Sequence, residues 1–179
     1  MKKPIIFIVG YSRSGTKMMN KILQSMKVAD IVPEIHFFEQ IIDINTYDKF
    51  KEYDEDYLKS ILEDLAQNTK SRLKYGIPSS LNLENIKQEI MLNIEGSILV
   101  TPIDIYKTFL SQINSKIPLD PTPRNSYYIS DIIKLIPESR FIYMLRDPRD
   151  CILSQSVKWK KYLKINEYMH ALRYKLNYN

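Results

Sequence analysis

The chain has 179 residues, 44% apolar and 26% charged, a globular composition that excludes wholesale disorder and suits one domain or at most a small pair. No apolar run approaches the roughly 20 residues of a membrane span, and one cysteine, Cys151, excludes a disulfide scaffold and a multi-cysteine metal site. The net charge of +5, from 26 basic and 21 acidic groups, is a mild excess that fits an anionic ligand and does not call for nucleic acid.

The basic start Met1-Lys2-Lys3-Pro4 is followed by an apolar run that stops at Gly10. That run is too short for a signal peptide, so a cytoplasmic protein is expected. Ile5 to Val9 is continuously apolar, the pattern of a parallel strand buried on both faces. Thr16 to Val28 has helical spacing through Met18, Met19, Ile22, Leu23 and Met26, and Ile31 to Pro33 suggests a short second strand.

Residues 50–115 read as mostly helical. Leu58, Ile61, Leu62 and Leu65 form one apolar stripe; Leu83, Ile86, Ile90, Met91 and Ile94 form another. Thr101-Pro102-Ile103-Asp104 is a helix start, with a hydroxyl cap, proline at the first position and an acid at the third. Ile103, Tyr106, Phe109, Leu110 and Ile113 continue from it. Ile117 to Asp120 reads as a third strand, and Asn125 to Ile136 as a helix ended by Pro137. Phe141 to Leu145 reads as another buried strand. Asp147-Pro148-Arg149-Asp150 repeats the start signal, and a helix follows through Ile152, Leu153, Val157 and Trp159. Strands alternating with helices predict an α/β fold with a parallel sheet.

Two segments carry chemistry. In the first, a buried strand feeds Gly10-Tyr-Ser-Arg-Ser-Gly-Thr16 and then a helix. Unpartnered amides of such a loop and of the first helical turn, with the helix dipole, make an anion site. Gly10 and Gly15 supply backbone freedom, Arg13 a cation and Thr16 a hydroxyl. The triphosphate pattern G-x-x-x-x-G-K-[ST] is missed, because Thr16 precedes Lys17. No acidic strand end suited to magnesium is evident, so the loop suits a phosphate-like anion and not Mg-ATP, and no metal is expected.

The second segment is Arg140 to Asp150 with the following helix. Arg146 is expected at the carboxyl end of a central strand, where ligands of open α/β sheets gather. Ser154 lies two turns into the helix, and a guanidinium and a hydroxyl converging there would hold a second phosphate. The plainer role for Arg146 is a pair with Asp150.

These segments resemble the sulfotransferase family, in its bacterial form. Ile5 to Leu23, with Ser-Arg-Ser-Gly-Thr at its core, is similar to the family's 5′-phosphosulfate loop. Phe141 to Trp159 is similar to its 3′-phosphate segment. Pro121-Thr-Pro-Arg-Asn125, Pro137 to Phe141 and Val32 to Phe38 resemble further family stretches. The matched part covers residues 4–40 and 117–161.

The resemblance implies a P-loop-like three-layer α/β sandwich around a central parallel sheet, as one domain over 1–179 with a mostly helical insertion at about 40–115. It implies transfer of a sulfuryl group from 3′-phosphoadenosine 5′-phosphosulfate (PAPS) to a hydroxyl or amine. Ser12, Arg13, Ser14, Gly15, Thr16 and Lys17 would hold the 5′-phosphosulfate, with Lys17 standing where a second threonine is common. Arg146 and Ser154 would hold the 3′-phosphate. Glu34 is the expected base, provided burial raises its pKa; His36 is the alternative and Glu39 a third. Arg13 is also expected to act on the transferred group.

Two departures stand out. The family often has a lysine before its Thr-Pro stretch, whereas here Pro121 follows Asp120. Arg13 alone, Lys17 or Arg124 would then take over that charge. The family's later strand and the loop closing over the nucleotide have no counterpart, so the C-terminal part of the family domain is expected to be missing. A nucleotide-binding relative without catalysis is therefore a second reading. A P-loop kinase or ATPase, and a nucleic-acid module built on Lys158-Trp-Lys-Lys-Tyr162, are weaker ones. The partners expected are PAPS, its product 3′-phosphoadenosine 5′-phosphate (PAP) and an unidentified acceptor. Residues 40–115, with Tyr47, Tyr53, Tyr57 and Tyr75 and the basic Lys70, Arg72 and Lys74, are expected to shape the acceptor site.

Overall fold

A computed structural model describes residues 4–30, 32–73, 82–114 and 116–159. Strand β1 (Ile6–Gly10) is the middle of a three-stranded parallel sheet among these residues, in the order β2-β1-β3, with β2 at Leu119–Asp120 and β3 at Arg140–Met144. Phe7 sits in register with Asp120 on one side and Phe141 on the other, and Gly10 with Met144. Phe7, Ile8 and Val9 are fully buried, as a continuous apolar run in a central strand requires.

Helix α1 (Thr16–Ser25) follows the loop after β1, and α6 (Pro148–Trp159) follows β3. Between them, α2 (Glu55–Leu73), α3 (Leu83–Glu95) and α4 (Pro102–Ile113) pack on one another. Their predicted stripes meet in the core: Leu58, Ile61, Leu62 and Leu65 from α2, Ile90 and Ile94 from α3, and Tyr106, Phe109 and Leu110 from α4. The α4 start forms a capping box, with Thr101 and Asp104 exchanging side-chain and backbone bonds. An aromatic chain ties sheet to helices. Phe141 stacks on Phe7 (5.3 Å), Phe7 meets Phe38 (6.3 Å), and Phe37 stacks on Tyr106 of α4 (4.3 Å).

Three expectations are corrected. Val32 and Pro33 join no strand, and Ile31 lies outside the described residues. Pro33 has no amide to give a ladder, and the Val32 carbonyl instead accepts from Asn20 Nδ2 at 2.9 Å. The helix expected from Asn125 starts as a 3₁₀ turn (Pro123–Tyr128) and becomes α5 only at Ile129–Leu135. The buried Asn125 side chain is bound to Asp120 there. Finally, β3 is not central or buried on both faces among the described residues: Tyr143 is 54% exposed and Leu145, just past its end, 85%. Tyr75, Lys74, the packing of Trp159 and the tail beyond it, including Lys160 to Tyr162, lie outside what is described. Among the described residues no helix is long and apolar enough to cross a membrane, and no group of three or more His, Cys, Asp or Glu is arranged so that it could hold a metal ion.

Candidate active site

The loop between β1 and α1 is shaped by left-handed backbone. Gly10 has φ +147°, Arg13 72° and Gly15 112°. A Cβ on Gly10 would lie 2.6 Å from the Met144 carbonyl oxygen and 2.9 Å from Ser14 Oγ, so β3 and the loop close over a residue that must be glycine. The Ser14 amide donates to the Tyr11 carbonyl at 3.0 Å and turns the chain. Gly15 caps α1 without a side chain, and the first turn of α1 holds no acid. The Met19 amide donates to the Gly15 carbonyl at 3.0 Å, which leaves the amides before it without an intrahelical acceptor. Ser12 and Lys17 are exposed, while Ser14 and Thr16 are buried. Ser14 Oγ has no hydrogen-bond partner among the described residues. A loop of this shape, with free amides, a helix N-terminus and a neighbouring cation, fits a phosphate-like group.

The two sequence segments meet directly. Arg13 Nε donates to Ser154 Oγ at 3.1 Å, and Arg146 Nη1 donates to the Arg13 carbonyl at 3.2 Å. Ser154 thus faces back toward the loop, as its place on α6 predicted. Arg13 lies on the side of Ser154, so its guanidinium spans the two segments. Arg146 also stands 3.9 Å from Asp150, a loose pair that leaves its fork largely unspent. Arg149, by contrast, is bound to Asp147, which holds that carboxyl below its usual range. The Asp147 side chain accepts from the Arg149 amide at 2.8 Å, as an N-cap does.

A third group lies after the Asn20–Val32 contact. The amides of Ile35 and His36 both donate to Thr122 Oγ1, at 2.9 and 3.2 Å. The Thr122 amide donates to Asp120 Oδ1 at 2.9 Å, and Asp120 Oδ2 accepts from Tyr106 Oη (2.6 Å) and Asn125 Nδ2 (3.0 Å). Asp120 ends β2 in register with Phe7, three residues short of Gly10, and three donors occupy it. It is a structural acceptor. His36 is left-handed (φ 60°) and opens a π-helical turn over Phe37–Ile41. Its ring lies between two carboxylates: Nε2 is 3.3 Å from Glu34 Oε2, and Nδ1 is 3.0 Å from Glu39 Oε2. Arg72 of α2 is 3.8 Å from Glu34, and Arg124 pairs with Glu39.

Burial pushes the Glu34 carboxyl up, but the hydrogen bond from His36 and the charges of Lys17, His36 and Arg72 outweigh it, and its pKa is lowered. The expected upward shift is therefore corrected: Glu34 is a held carboxylate. The same finding puts Lys17, exposed on α1, within electrostatic reach of Glu34. A cavity of about 320 Å³ borders Glu39, lined by residues 38–45 and Tyr128.

Sequence reasoning singled out the Thr-Pro-Arg-Asn stretch but not the work of its side chains. Thr122 holds the loop of Glu34 and His36, and Arg124 holds Glu39. Asn68, which donates to the Ile35 carbonyl at 2.8 Å and accepts from Arg72 Nε at 3.2 Å, had no signal beyond its place near the basic residues. Tyr47, Tyr53 and Tyr57 form a stack with ring centroids 6.0 and 5.4 Å apart.

Comparison with curated proteins and with solved structures returns no match. A family model does match: that of the sulfotransferase family, over residues 4–176. It spans β1, the loop that follows it, the Glu34–His36–Glu39 cluster, β3 and α6, nearly the whole chain, and the chain belongs to the sulfotransferase family.

Proposed function

We propose that this chain transfers a sulfuryl group from PAPS to a hydroxyl or amine of an acceptor. The observation that carries the reading is the pair of bonds joining the loop to α6 and the end of β3, Arg13 to Ser154 and Arg146 to the Arg13 carbonyl. They bring both expected anion-binding segments of the donor nucleotide to one place. The loop amides and the N-terminus of α1 bind the 5′-phosphosulfate, with Ser12 to Lys17 around it. Arg146 and Ser154 bind the 3′-phosphate.

Sulfuryl transfer is an in-line displacement in which the acceptor oxygen or nitrogen bonds to sulfur as the bond from sulfur to the phosphate oxygen breaks. Charge develops on that leaving oxygen, and cations and amides fixed beside it stabilise it, as in phosphoryl transfer. Arg13 supplies that charge from the loop. Lys17, near enough to act on Glu34, supplies the charge that the family's lysine would give at Pro121. Glu34 accepts the acceptor's proton. The neighbouring cations hold it ionised and in place, and the lowered pKa makes it a weaker base than a carboxylate poised near neutral pH.

The test is transfer of labelled sulfate from PAPS, with PAPS binding measured alongside. Arg13→Ala and Arg146→Ala are each expected to weaken PAPS binding by about tenfold or more, the loss of a charge-assisted contact. Unchanged affinity in both variants would sink the reading.

A further inference from the structure

Glu39 has no place in the transfer described above, yet it is among the most constrained carboxylates of the site. Its side chain is 12% exposed, beside a His36 side chain that is 9% exposed. Both oxygens are engaged, Oε2 with His36 Nδ1 at 3.0 Å and Oε1 with Arg124. A carboxylate in such a setting costs desolvation that only fixed partners offset. The backbone is shaped to put it there. His36 is held left-handed by Thr122, and the π-helical turn that follows brings Glu39 back over the ring. A π turn in place of an α turn is a recurrent mark of a functional site.

We propose that Glu39 is a positioning residue, which fixes the His36 ring so that Nε2 is held on the Glu34 carboxylate. The inference rests on the reading of Glu34 as the base. Glu39 accepts from Nδ1–H, which fixes the plane of the ring and, through it, the place of Nε2 beside Glu34 at 3.3 Å. As the acceptor's O–H or N–H bond breaks, Glu34 gains the proton, and the ring keeps that carboxylate aimed without itself changing. Besides His36, the charged groups facing Glu34 are Lys17 from α1 and Arg72 from α2, both cations that hold it ionised. Arg124, from the 3₁₀ turn, keeps Glu39 from swinging away.

The full chain carries two histidines, so the His36 ring nitrogens are readily assigned by ¹⁵N NMR. A slowly exchanging Nδ1–H signal is expected in the native chain and in Glu34→Gln, and is lost in Glu39→Ala. Its absence from the native chain overturns the proposal. The second readout needs no acceptor: slow sulfuryl transfer to water, followed as PAP release. Glu39→Ala is expected to lower kcat about tenfold, part of what a general base supplies, with PAP affinity unchanged. Added to Glu34→Gln it should lower kcat no further, because it acts through Glu34. Additive losses, or a loss of PAP affinity with kcat unchanged, overturn it. Arg124→Gln, at a 57% exposed side chain, repeats the pattern more weakly should Glu39→Ala not fold. Failure of the native chain to bind PAP contradicts the sulfotransfer reading instead, and the Nδ1–H signal still decides the Glu39–His36 bond.

Discussion

Burial and neighbouring charge act on Glu34 in opposite directions, and charge wins. Because the ionised form is the one that accepts a proton, turnover should persist below neutral pH and fall only as pH drops through the lowered pKa. Arg72→Gln removes one of the cations that depress it, so the acid limb of the pH–rate profile should move to higher pH. An unmoved limb would remove Arg72 from the set. The same sign governs stability: a carboxyl with a lowered folded-state pKa stabilises the fold above its unfolded value and loses that contribution as pH falls through the folded one. At the residue scale the sequence singled out Arg13, Arg146 and Ser154 by type and position, and Glu34 only through the family resemblance. It did not predict that Arg13 would reach Ser154, because a left-handed φ at an arginine has no sequence signature.

At the scale of elements, legibility followed local physics. β1 was readable because a five-residue apolar run ending in glycine has few other uses. The α2, α3 and α4 stripes were readable because each helix buries one face. Thr101 and Asp104 marked the α4 start from residue type alone, and the capping box makes a quantitative expectation. Thr101→Ala should destabilise the fold by about 1 kcal/mol, seen as a lower midpoint in denaturant. A change within a few tenths would mean that packing of α4, not the cap, sets its start. The π turn at Phe37–Ile41 and the 3₁₀ turn at Pro123–Tyr128 were not legible. The first is set by a partner distant in sequence, Thr122, and the second by Asp120, whose own place depends on the pairing of β2 with β1. The exposed face of β3 was misread for a related reason: apolar content does not say which side of a strand another element will cover.

Across the whole molecule, Asp120 joins the helices to the site. It accepts from Tyr106 of α4, from the Thr122 amide and from Asn125, and Thr122 in turn holds Ile35 and His36. Asp120→Ala leaves three buried donors unpaired and should cost about 3 kcal/mol or more. Asp120→Asn, which keeps an acceptor, should cost less. Equal losses would mean that the carboxylate itself, which both variants remove, and not the retained amide acceptor, decides the position. Burial and the adjacent Asp120 hold the Tyr106 phenol well above the usual tyrosine range. In an alkaline absorbance titration it should stay un-ionised past the pH at which a free phenol ionises.

The central claim is that the loop after β1 and the segment after β3 together hold one nucleotide bearing phosphates at both ends. Calorimetric titration of the chain with PAP, against ATP with magnesium, tests it most directly. Micromolar binding of PAP, preferred over Mg-ATP and lost in Arg146→Ala, is the predicted result. A folded chain that binds Mg-ATP as well as PAP, or neither, would contradict the claim.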